Sequence, residues 1–307
     1  MSTPALSAAE VARPAHGSLP SDLSELTKAR LTFMVLLTTF AGFALASRGV
    51  FGWEKLAHTL IGTALVAVCS SILNQALERD TDSLMRRTSD RPFVTRRLPL
   101  RKTILAGLGL GLLGLAELAV FVNGLATILA AITLVIYVAV YTPLKRRTTL
   151  NTLVGTIPGA LPPLIGAAGA IGHLGTAAWT LFAILAVWQL PHFYAIAWLY
   201  REDYETAGLC MVSVNDPQGA RTGLHALVSA LVLFPVSLLP VWLDSSGMFY
   251  GVTAALLSLG FVVTAWRFFR QPDRPHARAL FLVSIAWLPL ILTALALDIP
   301  IRAWLGW

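Results

Sequence analysis

Nine stretches of about 20 largely apolar residues run along this chain, and they leave it few ways to fold. They fall near 31–48, 57–77, 102–121, 124–142, 152–171, 176–197, 223–243, 247–266 and 279–297. A bilayer core about 30 Å thick is crossed by a helix of about 20 apolar residues. Spans of this number and length predict an all-α, polytopic membrane helix bundle. Composition agrees: 56% of the 307 residues are hydrophobic, 13% are charged and the mean hydropathy is +0.71. A soluble domain carries about a quarter charged residues. One membrane bundle can use the whole length, so residues 26–307 are read as a single transmembrane domain. Residues 1–25 are polar and lack the apolar stretch of a signal peptide, which predicts a mobile cytoplasmic tail.

The placement of cations orients the bundle. With the N-terminus inside, 20 of the 23 Lys and Arg residues fall in inside segments, leaving Arg48, Lys55 and Arg302 outside. That asymmetry is the positive-inside signal, and it suits an odd number of spans. The net charge of +7 is distributed between apolar spans, which points to anionic lipid headgroups and away from nucleic acid. Cys69 and Cys210 have neither metal-ligand spacing nor a reason to pair. The short leader with Glu10 and Asp22 favours a bacterial inner membrane over a mitochondrion.

The two longest inside connections, 78–101 and 198–222, carry acidic residues as well as basic ones. In the first, Asn74, Glu78 and Asp82 are spaced i, i+4, i+8, so a helix places all three on one face, about 6 Å apart along the axis. Asp80 lies off that face. A ridge of this kind can hold Mg²⁺, which takes carboxylate oxygens and commonly a phosphate. Arg86, Arg87, Arg91, Arg96 and Arg97 follow, and carboxylates with arginines at a membrane edge suggest a site for a metal-bound diphosphate. A solvated charged loop is the ordinary reading of such a run, but a shared helical face argues against it. The second connection offers Glu202, Asp203 and Glu205 beside Arg201, a candidate for a second Mg²⁺.

Other residues leave alternatives open. Tyr141 and Lys145, four apart, can present a phenol and an ammonium together; Lys145 is either a cation for a departing diphosphate or an inside anchor. His192 can bind haem iron, move a proton or serve the structure. Glu117 lies mid-span, where a carboxylate is costly and therefore a functional candidate, yet the sequence names no partner for it. Pro and Gly at 155–166 predict a kink, with a cavity or simple packing as its cause.

Taken together, these residues resemble the protoheme IX farnesyltransferases, a branch of the UbiA-type membrane prenyltransferase superfamily. The first segment is similar to that family's Asn-x₃-Asp-x₃-Asp-x₂-Met-x-Arg-Thr-x₂-Arg-Pro, through Asn74, Asp82, Met85, Arg87, Thr88, Arg91 and Pro92, with Glu78 in place of the first Asp. The likeness runs from Leu26-Thr-Lys-Ala-Arg30 through Tyr141-Thr-x₂-Leu-Lys145, Asn151-x₃-Gly155, Trp188-Gln-x-Pro-His-Phe193 and Asp203-Tyr-x₂-Ala-Gly208 to Leu280-Phe-x₂-Ser284. Ala29 stands where the family usually has Pro, and Cys210-Met-Val-Ser213 departs from its Pro-Met-Leu-Pro-like piece.

The resemblance implies nine helices around a central cavity open to the cytoplasmic side, with farnesyl diphosphate and haem b as substrates and Mg²⁺ as cofactor. Asn74, Glu78 and Asp82 would then hold one metal, and Glu202 and Asp203 another. Arg87, Arg91 and Lys145 would hold the diphosphate, and Tyr141 would face an allylic cation. His192, Arg201 and Asn151 would contact substrate. Haem A synthase or a terminal oxidase is the implied partner. A prenyltransferase acting on a quinone precursor and a lipid or haem transporter are the competing readings.

Overall fold

The computed structural model describes residues 18–48 and 50–305. Among these residues, nine helices are long and apolar enough to cross a membrane, and no strand occurs. A short helix, α1 (Leu19–Leu26), leads into α2 (Ala29–Ala46) and α3 (Trp53–Asp82). Then come α4 (Leu100–Phe121) and α5 (Gly124–Val135), which runs on as a π-helix (Ile136–Tyr141) and the turn α6 (Thr142–Leu144). The fifth span is split into α7 (Asn151–Ala160) and α8 (Pro162–Ile171). The remainder are α9 (Thr176–Leu199), α10 (Arg201–Thr206), α11 (Ala220–Trp242), α12 (Met248–Arg270) and α13 (Arg274–Leu305). The expected number and class of spans are borne out.

The tail expected at 1–25 differs in part. Residues 1–17 lie outside the described residues, but 19–26 form α1 rather than a loose segment. Its buried Asp22 accepts from Arg97 Nε at 2.9 Å, and Leu26 packs with Ile72 and Phe93. An ion pair and a small apolar cluster thus tie α1 to the first inside loop. At the other end, α13 continues as far as Leu305.

Successive spans are neighbours, and α13 returns to α2, so the nine form a closed ring. Leu105, Leu112, Leu113, Leu256 and Leu259 are exposed, as lipid-facing side chains are. The interior is filled unevenly. Pro158, Pro162 and Pro163 break the fifth span near Leu161, because proline removes a donor and clashes with the preceding turn. Beyond the break, α8 is buried from Pro162 to Gly169 and touches α2, α3, α5 and α9, filling that half of the ring. Before the break, a cavity of about 210 Å³ opens beside Gly155, Pro158 and Gly159 on one wall and Tyr137 and Tyr141 on another. The kink therefore borders a cavity.

Helix contacts in a bilayer rely on close packing rather than on the hydrophobic effect, so small residues mark them. A Cβ on Gly166 would run into the main chain of α2 at Thr39 and Phe43. One on Gly109, in α4, would meet nothing. Gly166→Val should therefore cost on the order of 1–3 kcal/mol and lower the thermal midpoint in detergent. Gly109→Ala should leave the midpoint unchanged or raise it slightly.

Candidate active site

The acidic ridge lies on α3, which continues unbroken past the apolar span through Asp82, so Asn74, Glu78 and Asp82 share one face as their spacing predicts. Each of the three has a cation as partner. Lys28 Nζ donates to Asn74 Oδ1 at 2.6 Å and to Tyr137 Oη at 3.2 Å. Lys145 Nζ donates to Glu78 Oε1 at 2.7 Å. Arg91 Nη1 donates to Asp82 Oδ2 at 2.5 Å. Asn74 is fully buried, and its Nδ2 donates to Thr142 Oγ1 at 2.9 Å. Asp82 is 1% exposed, and its second oxygen, Oδ1, is buried without a hydrogen-bond partner.

Three local features aim these cations. Lys28 sits between α1 and α2 with φ +47°, a left-handed conformation uncommon outside glycine and typical of strained functional positions. The π-helix before α6 sets Tyr137 and Tyr141 on the cavity wall, with ring centroids 5.6 Å apart; such inserted turns recur at functional sites. The Lys145 ammonium lies 4.6 Å from the Tyr141 ring centroid. Burial pushes the Lys28 ammonium down to about 7 against the pull of Glu78. Burial also acts to depress Lys145, but Glu78, Tyr141 and Tyr137 outweigh it and hold that ammonium above the ordinary lysine range.

The other inside segments are joined to this ridge. Met85 packs with Tyr204, Leu209 and Met211, and the Arg87 guanidinium lies 4.9 Å from the Tyr200 ring centroid. The Cys210 amide donates to Lys145 O, while Asn151 Nδ2 donates to Cys210 O at 2.7 Å and Thr148 O at 2.6 Å. Asn151 thus fastens the main chains of two loops. Arg201 stacks on Trp198, Glu202 is exposed and Asp203 half-buried on α10; neither carboxylate has a cation partner among the described residues. No three His, Cys, Asp or Glu side chains among the described residues form a ready-made metal centre. The ridge offers two carboxylates and an amide, a donor set suited to Mg²⁺, which takes few protein ligands and keeps water and phosphate. The unpartnered Asp82 Oδ1 fits that role.

His192 lies apart, between α9 and α13. Its ring stacks on Trp188 and Phe281, with centroids 5.4 and 5.2 Å away. Ser284 Oγ donates to Phe281 O at 2.6 Å, so it accepts from His192 Nδ1–H at 2.7 Å. The neutral ring then keeps its lone pair on Nε2. Glu117, which the sequence left without a partner, meets His58 Nδ1 at 2.7 Å.

The geometry adds Lys28, Tyr137 and Thr142 to the residues singled out by sequence, and gives the motif residue Thr88 a partner. Thr88 Oγ1 donates to the main-chain oxygen of Asp82 at 3.0 Å. Tyr137 is one helical turn before Tyr141, and Lys28 lies within the Leu26–Arg30 stretch, so a signal for both existed.

The sequence profile of the UbiA prenyltransferase family matches residues 35–292, most of the chain. The chain belongs to the UbiA prenyltransferase family. A protoheme IX farnesyltransferase of Solibacter usitatus (strain Ellin6076) is 41% identical over 288 residues, covering 91% of this chain and 99% of that protein. The protein of the same name from Myxococcus xanthus (strain DK1622) is 40% identical, with 92% and 96% covered. Among solved structures, a digeranylgeranylglyceryl phosphate synthase superposes with a TM-score of 0.77 at 15% identity, covering 91% of this chain and 98% of that one. A UbiA homologue from Archaeoglobus fulgidus bound to DMAPP and Mg²⁺ gives 0.65 at 17% identity, covering 90% and 99%. These distant structures share the UbiA fold.

The bonds of Asn151 carry a prediction. Asn151→Ala leaves the Cys210 carbonyl without its donor and Thr148 O with the Asn151 main-chain N–H alone, and should cost on the order of 1–3 kcal/mol. Limited proteolysis should cut the 207–219 loop faster in that variant than in the parent.

Proposed function

We propose that this chain transfers the farnesyl group of farnesyl diphosphate to a vinyl group of haem b, with addition of water, giving haem O. The observation that carries the reading is the inner-face ridge, two carboxylates and an amide each matched by a cation, beside a cavity walled by tyrosines and apolar residues. Close relatives over nearly the whole chain bear the name of that activity.

Two anions do not share a buried site without a cation between them, because their repulsion grows as the dielectric falls. Asn74, Glu78 and Asp82 would hold Mg²⁺, with Glu202 and Asp203 holding a second ion. Bound there, the metal would neutralise charge on the diphosphate. Lys145 and Arg91 are within reach of the same space and offer N–H donors to the leaving oxygens, the stabilisation that matters most when charge develops during bond breaking. Arg87, further along the loop, covers the approach from the α10 side.

The bond between the allylic carbon and the diphosphate oxygen breaks, and the electron pair leaves with the diphosphate. The allylic cation then lies beside Tyr141 and Tyr137, whose ring faces favour positive charge. The haem vinyl group supplies the electrons for the new carbon–carbon bond. Water adds to the resulting benzylic-type cation and loses a proton, which leaves the hydroxyethylfarnesyl substituent. Apolar walls from Val35, Val66, Ile165 and Phe193 exclude other water from the cation. His192, whose Nδ1 bond to Ser284 leaves Nε2 to accept or ligate, would position the haem, with Arg201 at the substrate rim. The excess of cations on one side supports a cytoplasmic position for this face, in a bacterial inner membrane. The product would pass to haem A synthase or a terminal oxidase.

The test is mass analysis of pigments after the purified protein is incubated with haem b, farnesyl diphosphate and Mg²⁺. The expected result is haem heavier by a farnesyl group plus water, formed with Mg²⁺ present and not without it. Unmodified haem and intact farnesyl diphosphate, from protein shown to be folded, would contradict the reading. Asp82→Asn should reduce turnover by on the order of 10²-fold or more while membrane insertion is retained. His192→Ala should weaken haem binding in an absorbance titration and leave the affinity for farnesyl diphosphate as it was.

A further inference from the structure

Ser284, on α13, holds two residues of α9 at once. Its main-chain oxygen accepts from Trp188 Nε1 at 2.9 Å, and its hydroxyl accepts from His192 Nδ1–H at 2.7 Å. The serine is fully buried, and its own proton is spent on Phe281 O at 2.6 Å. The Trp188 and Phe281 rings lie within 25° of parallel to the imidazole and so set its plane. A half-turn of the ring would keep that plane but exchange Nδ1 for a carbon. The Ser284 bond is lost in such a turn, so the hydroxyl decides which edge of the ring faces α13.

That leaves Nε2. It has no hydrogen-bond partner among the described residues. Nor is it one of the sealed, unpartnered polar atoms of the interior, which are Thr63 Oγ1, Gln75 Oε1, Asp82 Oδ1 and Trp287 Nε1. The nitrogen therefore opens onto space. Gln189 and Phe193, on the same helix, line the tyrosine-walled cavity, so the histidine stands next to its wall. Nε2 carries a lone pair and no proton, because the one proton of the neutral ring is on Nδ1. It can meet a hydrogen-bond donor or a metal ion. Of the proposed reactants, the farnesyl chain offers neither. The diphosphate and the ionised propionates of the porphyrin are acceptors, and the vinyl groups are apolar. The haem iron is the centre that takes a nitrogen lone pair.

We propose that His192 Nε2 is the axial ligand of the haem iron, and that Ser284 is the positioning residue that keeps this nitrogen free of a proton and turned away from α13. The coordinate bond forms from the lone pair, and no proton has to leave. A metal-ligating imidazole gives its other N–H to an acceptor, which fixes the tautomer and raises the basicity of the ligating nitrogen. Ser284 Oγ fills that place. An iron held at one point limits the porphyrin to rotation about the iron–nitrogen axis, so few orientations separate a vinyl group from the allylic carbon. The inference rests on the haem-substrate reading given above.

The experiment compares two ligands on the full-length protein in nanodiscs, haem b and metal-free protoporphyrin IX. They share the ring, the vinyl groups and the propionates, and differ in the iron. The parent should bind haem b more tightly than protoporphyrin IX. Ser284→Ala removes the hydroxyl but keeps the main-chain oxygen that holds Trp188. It should weaken haem b binding by about tenfold or more, the loss expected when a ligating histidine is deprived of its partner, and leave protoporphyrin IX at the parent value. His192→Ala should bring haem b down to the protoporphyrin IX level. With the iron reduced, resonance Raman spectra should show an iron–histidine band in the parent, at lower frequency in Ser284→Ala and absent in His192→Ala. Equal losses for both ligands in Ser284→Ala would mean a packing role and overturn the positioning, as would parent-level haem b binding. A haem-bound parent without the band, or one that prefers neither ligand, overturns the ligation whatever the stability of the variants. A parent that binds neither ligand removes the haem reading itself, a result distinct from these.

Discussion

Charge compensation at the inner end of an apolar bundle is the constraint on which the rest of this structure depends. Glu78 and Asp82 cannot sit nearly enclosed at the end of a membrane helix unless cations are brought to them. The cations come from turns distant in sequence, so forming the pairs fixes the relative positions of the α1–α2 turn, the first inside loop and the turn after α6. Secondary bonds then complete the frame. Arg97 binds Asp22, Gln75 donates to the carbonyls of Glu25 and Leu26, and Asn151 and Cys210 join the third and fourth inside segments. The same groups that satisfy the buried carboxylates are those that can meet a diphosphate, so the scaffold and the chemistry share residues.

The fold supplies a one-ended vessel for this cluster. Small residues let α8 sink into the ring and close one half of it, while proline splits the fifth span and Gly155 lets α7 lie against the Tyr141 ring. The π-helical stretch turns both tyrosines toward the cavity. A largely apolar cavity, joined to the charged ridge through the Lys28–Tyr137 contact, suits a substrate with a charged head and a long hydrocarbon tail.

How much of this was legible in the sequence follows from the range of each interaction. The nine spans were readable because hydropathy acts over about 20 contiguous residues. The Asn74–Glu78–Asp82 face was readable because α3 continues straight through it, so an i, i+4 rule applied without tertiary information. The Tyr141–Lys145 spacing survived for the same reason, and its cation–ring contact is present. The partners were not readable. Lys28 reaches Asn74 across 46 residues and His58 reaches Glu117 across 59, and no local period encodes either meeting. Arg87 illustrates the same limit: its place in the motif said nothing of Tyr200, over whose ring the loop carries it. Helix α1 was read as tail because its anchors, Asp22 with Arg97 and Leu26 with Ile72 and Phe93, join residues distant in sequence.

The central claim is that the α3 ridge and its three cations are where the diphosphate is held. An experimental structure of the protein with Mg²⁺ and the unreactive thio analogue of farnesyl diphosphate tests it most directly. The account predicts diphosphate within hydrogen-bonding distance of Lys28, Lys145 and Arg91, with Glu78 and Asp82 turned to the metal. Diphosphate bound elsewhere, or bound there with the Lys145–Glu78 and Arg91–Asp82 pairs intact, would contradict it.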